Sequence, residues 1–202
     1  MCCLYLCVSR YTQRDLANRC EQYLLWRFYR LHGKQRAFVF LDPCSCSEAD
    51  AALVGGHSFG LANLRFSKSD SALTKSWIAD MVMMNPPSNL CAQLVDKMLQ
   101  ELTLGHFRFG VMLLHGQWHS AWYQRMMRHP GIAGWIPLKR LQFIRGGGHG
   151  GGDQPTKKKS YDHDPCLRVL VFLDFDRIRG TADPAFDTGA HAKTFFKYFI
   201  AF

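Results

Sequence analysis

The sequence predicts an α/β fold: an open, mostly parallel sheet with helices on both faces, closed by an antiparallel pair of strands. Three observations lead there. Ala37 to Leu41 is a short uninterrupted apolar run, as expected of a strand buried on both faces, with Met81 to Met84 a second buried-strand candidate and Phe107 to Leu114 a third strand. Segments with apolar residues at helical spacing alternate with them. Two further strands joined by a long polar loop follow, which implies an antiparallel closing pair. With 202 residues, 48% of them hydrophobic, the chain is long enough to bury a full core as one domain over residues 1–176, and it shows no internal repeat.

From Arg14 to Leu31 the residues Leu16, Cys20, Tyr23, Leu24, Phe28 and Leu31 recur at helical spacing, with arginines at other positions. His32-Gly33 is the helix stop, and the first strand ends at Asp42-Pro43. Residues 43–78 are rich in Ser, Ala and Gly and carry no assignable period. The second strand stops at Asn85-Pro86-Pro87, after which Ser88 or Asn89 is expected to cap a helix carrying Leu90, Leu94, Val95, Met98, Leu99 and Leu102 and ending near Gly105. The third strand leads to a helix from about Trp118 to Arg128 that Pro130 ends. Leu138 to Ile144 and Leu167 to Leu173 are the closing strands. Between them the Gly/Lys-rich stretch 145–164 is expected to be a flexible insertion, because its glycine and lysine tracts cannot pack a core. Residues 177–202 form a tail whose aromatic end, Phe195 to Phe202, is expected to dock on the domain or on a protein partner.

Charge is unevenly distributed. The net is +9, and by segment it is +5 over 1–41, −3 over 42–104, +8 over 105–160 and −1 over 161–202. Such a balance favours a polyanionic partner such as nucleic acid around a less basic centre, although scattered solvated charges explain it about as well. No apolar run approaches the ~20 residues that span a bilayer, and the first eight residues lack the basic lead of a signal peptide, so an intracellular protein with no membrane contact is expected. The eight cysteines contain no Cys-x-x-Cys pair and read as reduced thiols, mostly packing, with no metal site.

The tetrapeptide Asn85-Pro86-Pro87-Ser88 stands where a buried strand ends, which is where open α/β sheets collect ligands. Two prolines fix the backbone and remove two N–H groups, leaving the Asn85 side-chain carbonyl and the Pro86 carbonyl as acceptors. Two acceptors suit an amino group with two protons. Hydrogen bonds that draw an exocyclic amine towards tetrahedral geometry free its lone pair for attack. The bland alternative is a strand breaker that starts a helix.

The chain resembles the phage-type, Dam-like DNA adenine-N6-methyltransferases, a small family also found in mobile elements, over roughly residues 37–173. The resemblance rests on Phe40 to Ser45, Phe66 to Leu73 with Trp77, Met84 to Ser88, Met112 to Leu114 with Trp118 or Trp122, Leu141 to Phe143 and Val169 to Phe172. It implies a Rossmann-like methyltransferase sheet and methyl transfer from S-adenosylmethionine to the N6 amine of adenine in DNA. Catalysis would fall to Asn85, Pro86, Pro87 and Ser88, and cofactor binding to Asp42, Pro43, Cys44, Ser45 and Asp70. The plainer roles are a turn residue for Asp42 and a cap or Asx-turn for Asp70. Phosphate or base contacts are expected from Arg27, Arg30, Trp118, Arg125, Lys139, Arg140, Lys157, Lys158 and Lys159. The family pattern has an aromatic residue, which stacks on the extruded base, where this chain has Ser88. Trp118, Trp122 and Tyr123 are the candidate substitutes, with core packing as their ordinary role. No Gly-x-Gly follows Asp42. The other readings are a catalytically inactive methyltransferase-like module that binds nucleic acid or a partner, and transfer to RNA or protein glutamine. His115 and His119 lack the glutamate of a zinc-protease helix and read as polar residues at a strand end.

Overall fold

A computed structural model describes residues 13–34, 36–45, 61–67, 70–138, 142–144, 161–163 and 168–182. Helix α1 (Gln13–His32) is followed by the strands β1 (Phe40–Asp42), β2 (Leu64–Arg65) and β3 (Met81–Met84). A 3-10 turn, Ser88–Leu90, opens α2 (Cys91–Thr103), and then come β4 (Phe109–His115), α3 (Ala121–Met127) and β5 (Ile132–Leu138). The strands β6 (Gln142–Ile144), β7 (Tyr161–His163) and β8 (Arg168–Asp174) precede the short helix α4 (Phe175–Ile178).

The main sheet runs β2-β1-β3-β4-β8-β5. β2, β1, β3 and β4 run parallel to one another, and β8 lies antiparallel between β4 and β5. The expected mostly parallel sheet with an antiparallel closing element is therefore present. Alternate strand residues feed two cores. Phe40, Met81, Met83, Val111, Leu113, Leu170 and Phe172 pack under Leu16, Cys20, Tyr23, Leu24 and Phe28 of α1. Leu41, Val82, Met84, Met112, Leu114, Val169 and Val171 pack under Leu94, Val95, Met98 and Leu102 of α2 and Tyr123 and Met126 of α3. Helices thus cover both faces, and each core side chain removed from water contributes roughly 1.5–3 kcal/mol.

Local chemistry sets the element ends. At Gly33, φ is +78° and the N–H donates to the Tyr29 carbonyl, which closes α1. β1 starts at Phe40 rather than Ala37. Asn63 accepts from the Phe40 N–H and donates to the Phe38 carbonyl, while the Asp80 carboxylate takes the Val39 N–H. Polar side chains thus hold the Phe38 carbonyl and the Val39 N–H, while the Val39 carbonyl accepts from the Asp80 and Met81 N–H groups at 2.9 and 3.2 Å.

Three sequence expectations are corrected. The partner of β8 is β5, upstream of the expected Leu138 to Ile144 strand; β5 was hidden by Gly134 and Pro137, and Pro137 is tolerated because β5 is an edge strand. Gln142–Ile144 instead pairs with Tyr161–His163 as a separate two-stranded sheet, so 161–163 is strand within the stretch expected to be flexible. Neither Ser88 nor Asn89 caps α2 through its side chain; Leu90 occupies the cap position after the 3-10 turn. The remainder of the 145–164 insertion and the tail beyond 182 lie outside the described residues.

Candidate active site

The strand order reverses at β1, which lies between β2 and β3. The crevice outside the carboxyl ends of strands at such a reversal is the ligand site of open α/β sheets. Register brings the polar strand ends together there. Leu41 pairs with Val82, so Asn85 stands two residues above the level of Asp42 on the adjacent strand. A strand separation of ~4.8 Å and a rise of ~3.3 Å per residue put their Cα atoms about 8 Å apart.

Strand alternation also puts them on one face. Phe40, Met81, Met83, Val111, Leu113 and Leu170 all belong to the α1-side core, and the next residues of the same parity towards this end are Asp42, Asn85, His115 and Arg168. Arg65 pairs with Asp42 and His115 with Arg168 across their ladders. An apolar stripe under α1 thus turns polar at the carboxyl ends of β1, β3 and β4 and at the adjoining amino end of β8.

Asp42 is 2% exposed, and its carboxylate accepts the Cys44 N–H at 3.1 Å. The main chain around it is stitched to β2: the Phe66 N–H donates to the Asp42 carbonyl and the Ser45 N–H to the Phe66 carbonyl, both at 2.9 Å. Pro43 is buried, and Cys44 and Ser45 are half-buried. Burial pushes the Cys44 thiol up, reinforced by Asp42 and then Cys91; burial likewise raises Cys91 to about 11 against the pull of Arg168. Both are neutral packing thiols, and Cys20, Cys44 and Cys91 are free.

On the adjacent strand Asn85 is half-buried, Pro86 buried, and Pro87 and Ser88 exposed. Among the described residues neither the Asn85 side chain nor the Pro86 carbonyl has a hydrogen-bond partner. The Ser88 hydroxyl, instead of capping α2, lies 3.3 Å from Nε2 of His115.

Other predicted residues are placed elsewhere. Asp70 closes its own loop, its carboxylate accepting from the Ser67 N–H, the Ser67 hydroxyl and Lys75 at 2.8–2.9 Å. The hydrogen bond from Lys75, then those from Ser67, hold its pKa down to about 2. That is the loop-closing role set beside cofactor binding. Trp118 is wedged between Tyr123 and Trp135 at centroid distances of 5.0 and 5.5 Å, and Trp122 meets Tyr123 at 5.6 Å. Burial pushes the Tyr123 phenol up, and its hydroxyl has no hydrogen-bond partner among the described residues. These rings pack against the α2-side core.

Arg27 requires correction. It is 5% exposed, ion-paired to buried Asp174, and lies 4.6 Å from the Phe109 ring centroid, at the opposite end of the sheet from Asn85. Burial lowers the Arg27 pKa and raises that of Asp174, and their mutual charge opposes both shifts. A side chain so placed does not reach a phosphate. Arg30 is exposed over Trp26 in the last turn of α1, and Arg125 is exposed and paired with Asp96 at 2.9 Å. Lys139, Arg140, Lys157, Lys158 and Lys159 lie outside the described residues. The residue that sequence reasoning read only as a polar strand end is His115, which here meets the Ser88 hydroxyl. Its signal was parity: Val111, Leu113 and His115 repeat the pattern of Met81, Met83 and Asn85.

No protein-family model and no curated protein sequence matches the chain. Among solved structures, it is similar to one titled "Human methyltransferase 10 domain containing protein", at 13% identity and a TM-score of 0.41, covering 79% of this chain and 81% of that one. It is also similar to the "METTL16 MTase domain (crystal form 2)" (14%, TM-score 0.38, covering 77% and 67%) and to the "delta-N METTL16 MTase domain" (14%, TM-score 0.37, covering 78% and 82%). Among the described residues no helix is long and apolar enough to cross a membrane.

Proposed function

We propose that this chain is an S-adenosylmethionine-dependent methyltransferase acting on an exocyclic nucleobase amine, the N6 of adenine in DNA. The observation that carries the reading is the pair of acceptors Asn85 and Pro86, without a hydrogen-bond partner among the described residues, beside buried Asp42 where the strand order reverses. The chemistry of these groups fits both ligands. S-adenosylmethionine, when bound, supplies an electrophilic methyl group on a sulfonium. Asp42 accepts from a ribose hydroxyl or an adenine amine, and the fixed turn Pro43 to Ser45 shapes the floor beside it.

Asn85 and Pro86 each accept one N–H of the target amine, drawing its lone pair out of conjugation with the ring. The backbone at the prolines is already rigid, so little reorganisation is needed in the transition state. Reaching a base inside a duplex requires extruding it, at a few kcal/mol of lost stacking.

The test is transfer of radiolabelled methyl groups to sheared genomic DNA, total RNA and protein, with Asn85→Ala in parallel. DNA labelling that falls roughly 100- to 1,000-fold in Asn85→Ala is expected, the usual effect of removing one positioned hydrogen-bonding group from a transition state. Full activity in Asn85→Ala would remove the site assignment. Labelling of RNA or protein alone would move the acceptor, and calorimetry showing no S-adenosylmethionine binding at millimolar concentration would leave a non-catalytic module.

A further inference from the structure

We infer that His115 is the stacking platform for the flat nitrogen heterocycle whose amine Asn85 and Pro86 hold; this rests on the reading of the site above. Two acceptors grip only the edge of such a ring. A planar base held by one edge still pivots, so a face-on contact is needed to keep its amine aligned. No side chain of the 85–88 turn supplies one, because Ser88 carries only a hydroxyl.

The tryptophans near this end are engaged with one another and with Tyr123 in edge-to-face contacts under α2 and α3. His115 is placed differently. It ends β4, the strand bonded to β3, and Met84 pairs with Met112, so His115 stands two residues above the level of Asn85. Its Cα is thus offset from that of Asn85 by about 8 Å, one strand across and two residues up.

Parity puts both side chains on the α1 face of the sheet. The imidazole is half-buried, and Ser88 Oγ lies 3.3 Å from Nε2, a contact at the ring edge that ties the imidazole to the 85–88 turn. Ser88 and His115 together do the work of one aromatic residue: the hydroxyl orients and the imidazole stacks.

The test uses the full chain and the nucleic acid that the wild type methylates, measuring KM and kcat for His115→Ala, His115→Phe, His115→Gln and the double variant His115→Ala/Ser88→Tyr. Calorimetric S-adenosylmethionine binding by each variant reports that the cofactor half of the fold is intact. Loss of one stacked base is expected to raise KM in His115→Ala about 5- to 150-fold, with the cofactor Kd unchanged. His115→Phe and the double variant recover most of that loss, and His115→Gln does not. An unchanged KM in His115→Ala, or recovery by Gln and not by Phe, overturns the stacking role while leaving the methyltransferase reading standing. A wild type that labels no nucleic acid overturns both.

Discussion

Replacing Arg27 with Met separates a structural arginine from a phosphate-binding one. Its guanidinium and the Asp174 carboxylate are 6% and 2% exposed, so neither is appreciably screened by water. Met fills much of the volume but leaves Asp174 charged, buried and without its cation. Breaking a buried pair from one side costs about 3–5 kcal/mol. For a chain of 202 residues, at ~2–4 °C per kcal/mol, that is a fall in Tm of roughly 6–20 °C.

Asp174→Asn added to Arg27→Met removes the stranded charge while keeping an oxygen to accept the Asp176 N–H that Asp174 now takes at 2.9 Å, and should recover at least ~1 kcal/mol. The assays are thermal and urea unfolding, together with the salt dependence of binding to sheared DNA. A phosphate contact contributes about 0.9 to the slope of log K against log salt, so Arg27→Met should leave that slope unchanged. A stability loss below ~1 kcal/mol with a slope shallower by about one would refute the buried-pair account.

Three further outcomes follow from the core and its hinges. Burial raises the Glu101 pKa, but hydrogen bonds from Lys97, the Trp77 N–H and His106, at 2.6, 2.8 and 2.6 Å, outweigh it and leave the carboxyl lowered. A lowered folded pKa means the unfolded chain binds the proton first, so this contribution is present above the ordinary value of 4.5 and is lost as pH falls below it; Glu101→Gln should flatten the acid limb of a stability–pH profile, and an unchanged limb would assign it elsewhere. Tyr123→Phe removes a buried hydroxyl with no partner among the described residues and should be neutral or stabilising by up to ~1–3 kcal/mol in urea melts; a loss of more than about 1 kcal/mol would reveal a partner. At Gly105, φ is +73° and an added Cβ would sit 2.9 Å from Phe175 Cζ, so Gly105→Ala should cost at least ~1–2 kcal/mol. Retained Tm in that variant would contradict the left-handed turn.

Much of this molecule was legible from local pattern. Met81–Met84 is a strand at its expected bounds, α1 and α2 follow the predicted periodicity, and Asp42 and Asn85-Pro86 end neighbouring strands, since apolar period and proline-glycine punctuation act within a few residues. The failures share a different cause. Arg27 looked like a member of a basic helix face because its partner, Asp174, lies 147 residues away. Ser88 looked like a cap because His115, 27 residues on, cannot be seen competing for its hydroxyl. Asp70 looked available because its ties to Ser67 and Lys75 depend on how that loop closes. By itself, then, the sequence determined which segments become strands and helices and where the chemistry-bearing turn falls. The tertiary structure alone decided which charges are buried in pairs, which hydroxyl meets which ring, and which strand ends stand side by side, because those outcomes depend on sheet register and strand order, properties of long-range pairing that no local window of residues contains.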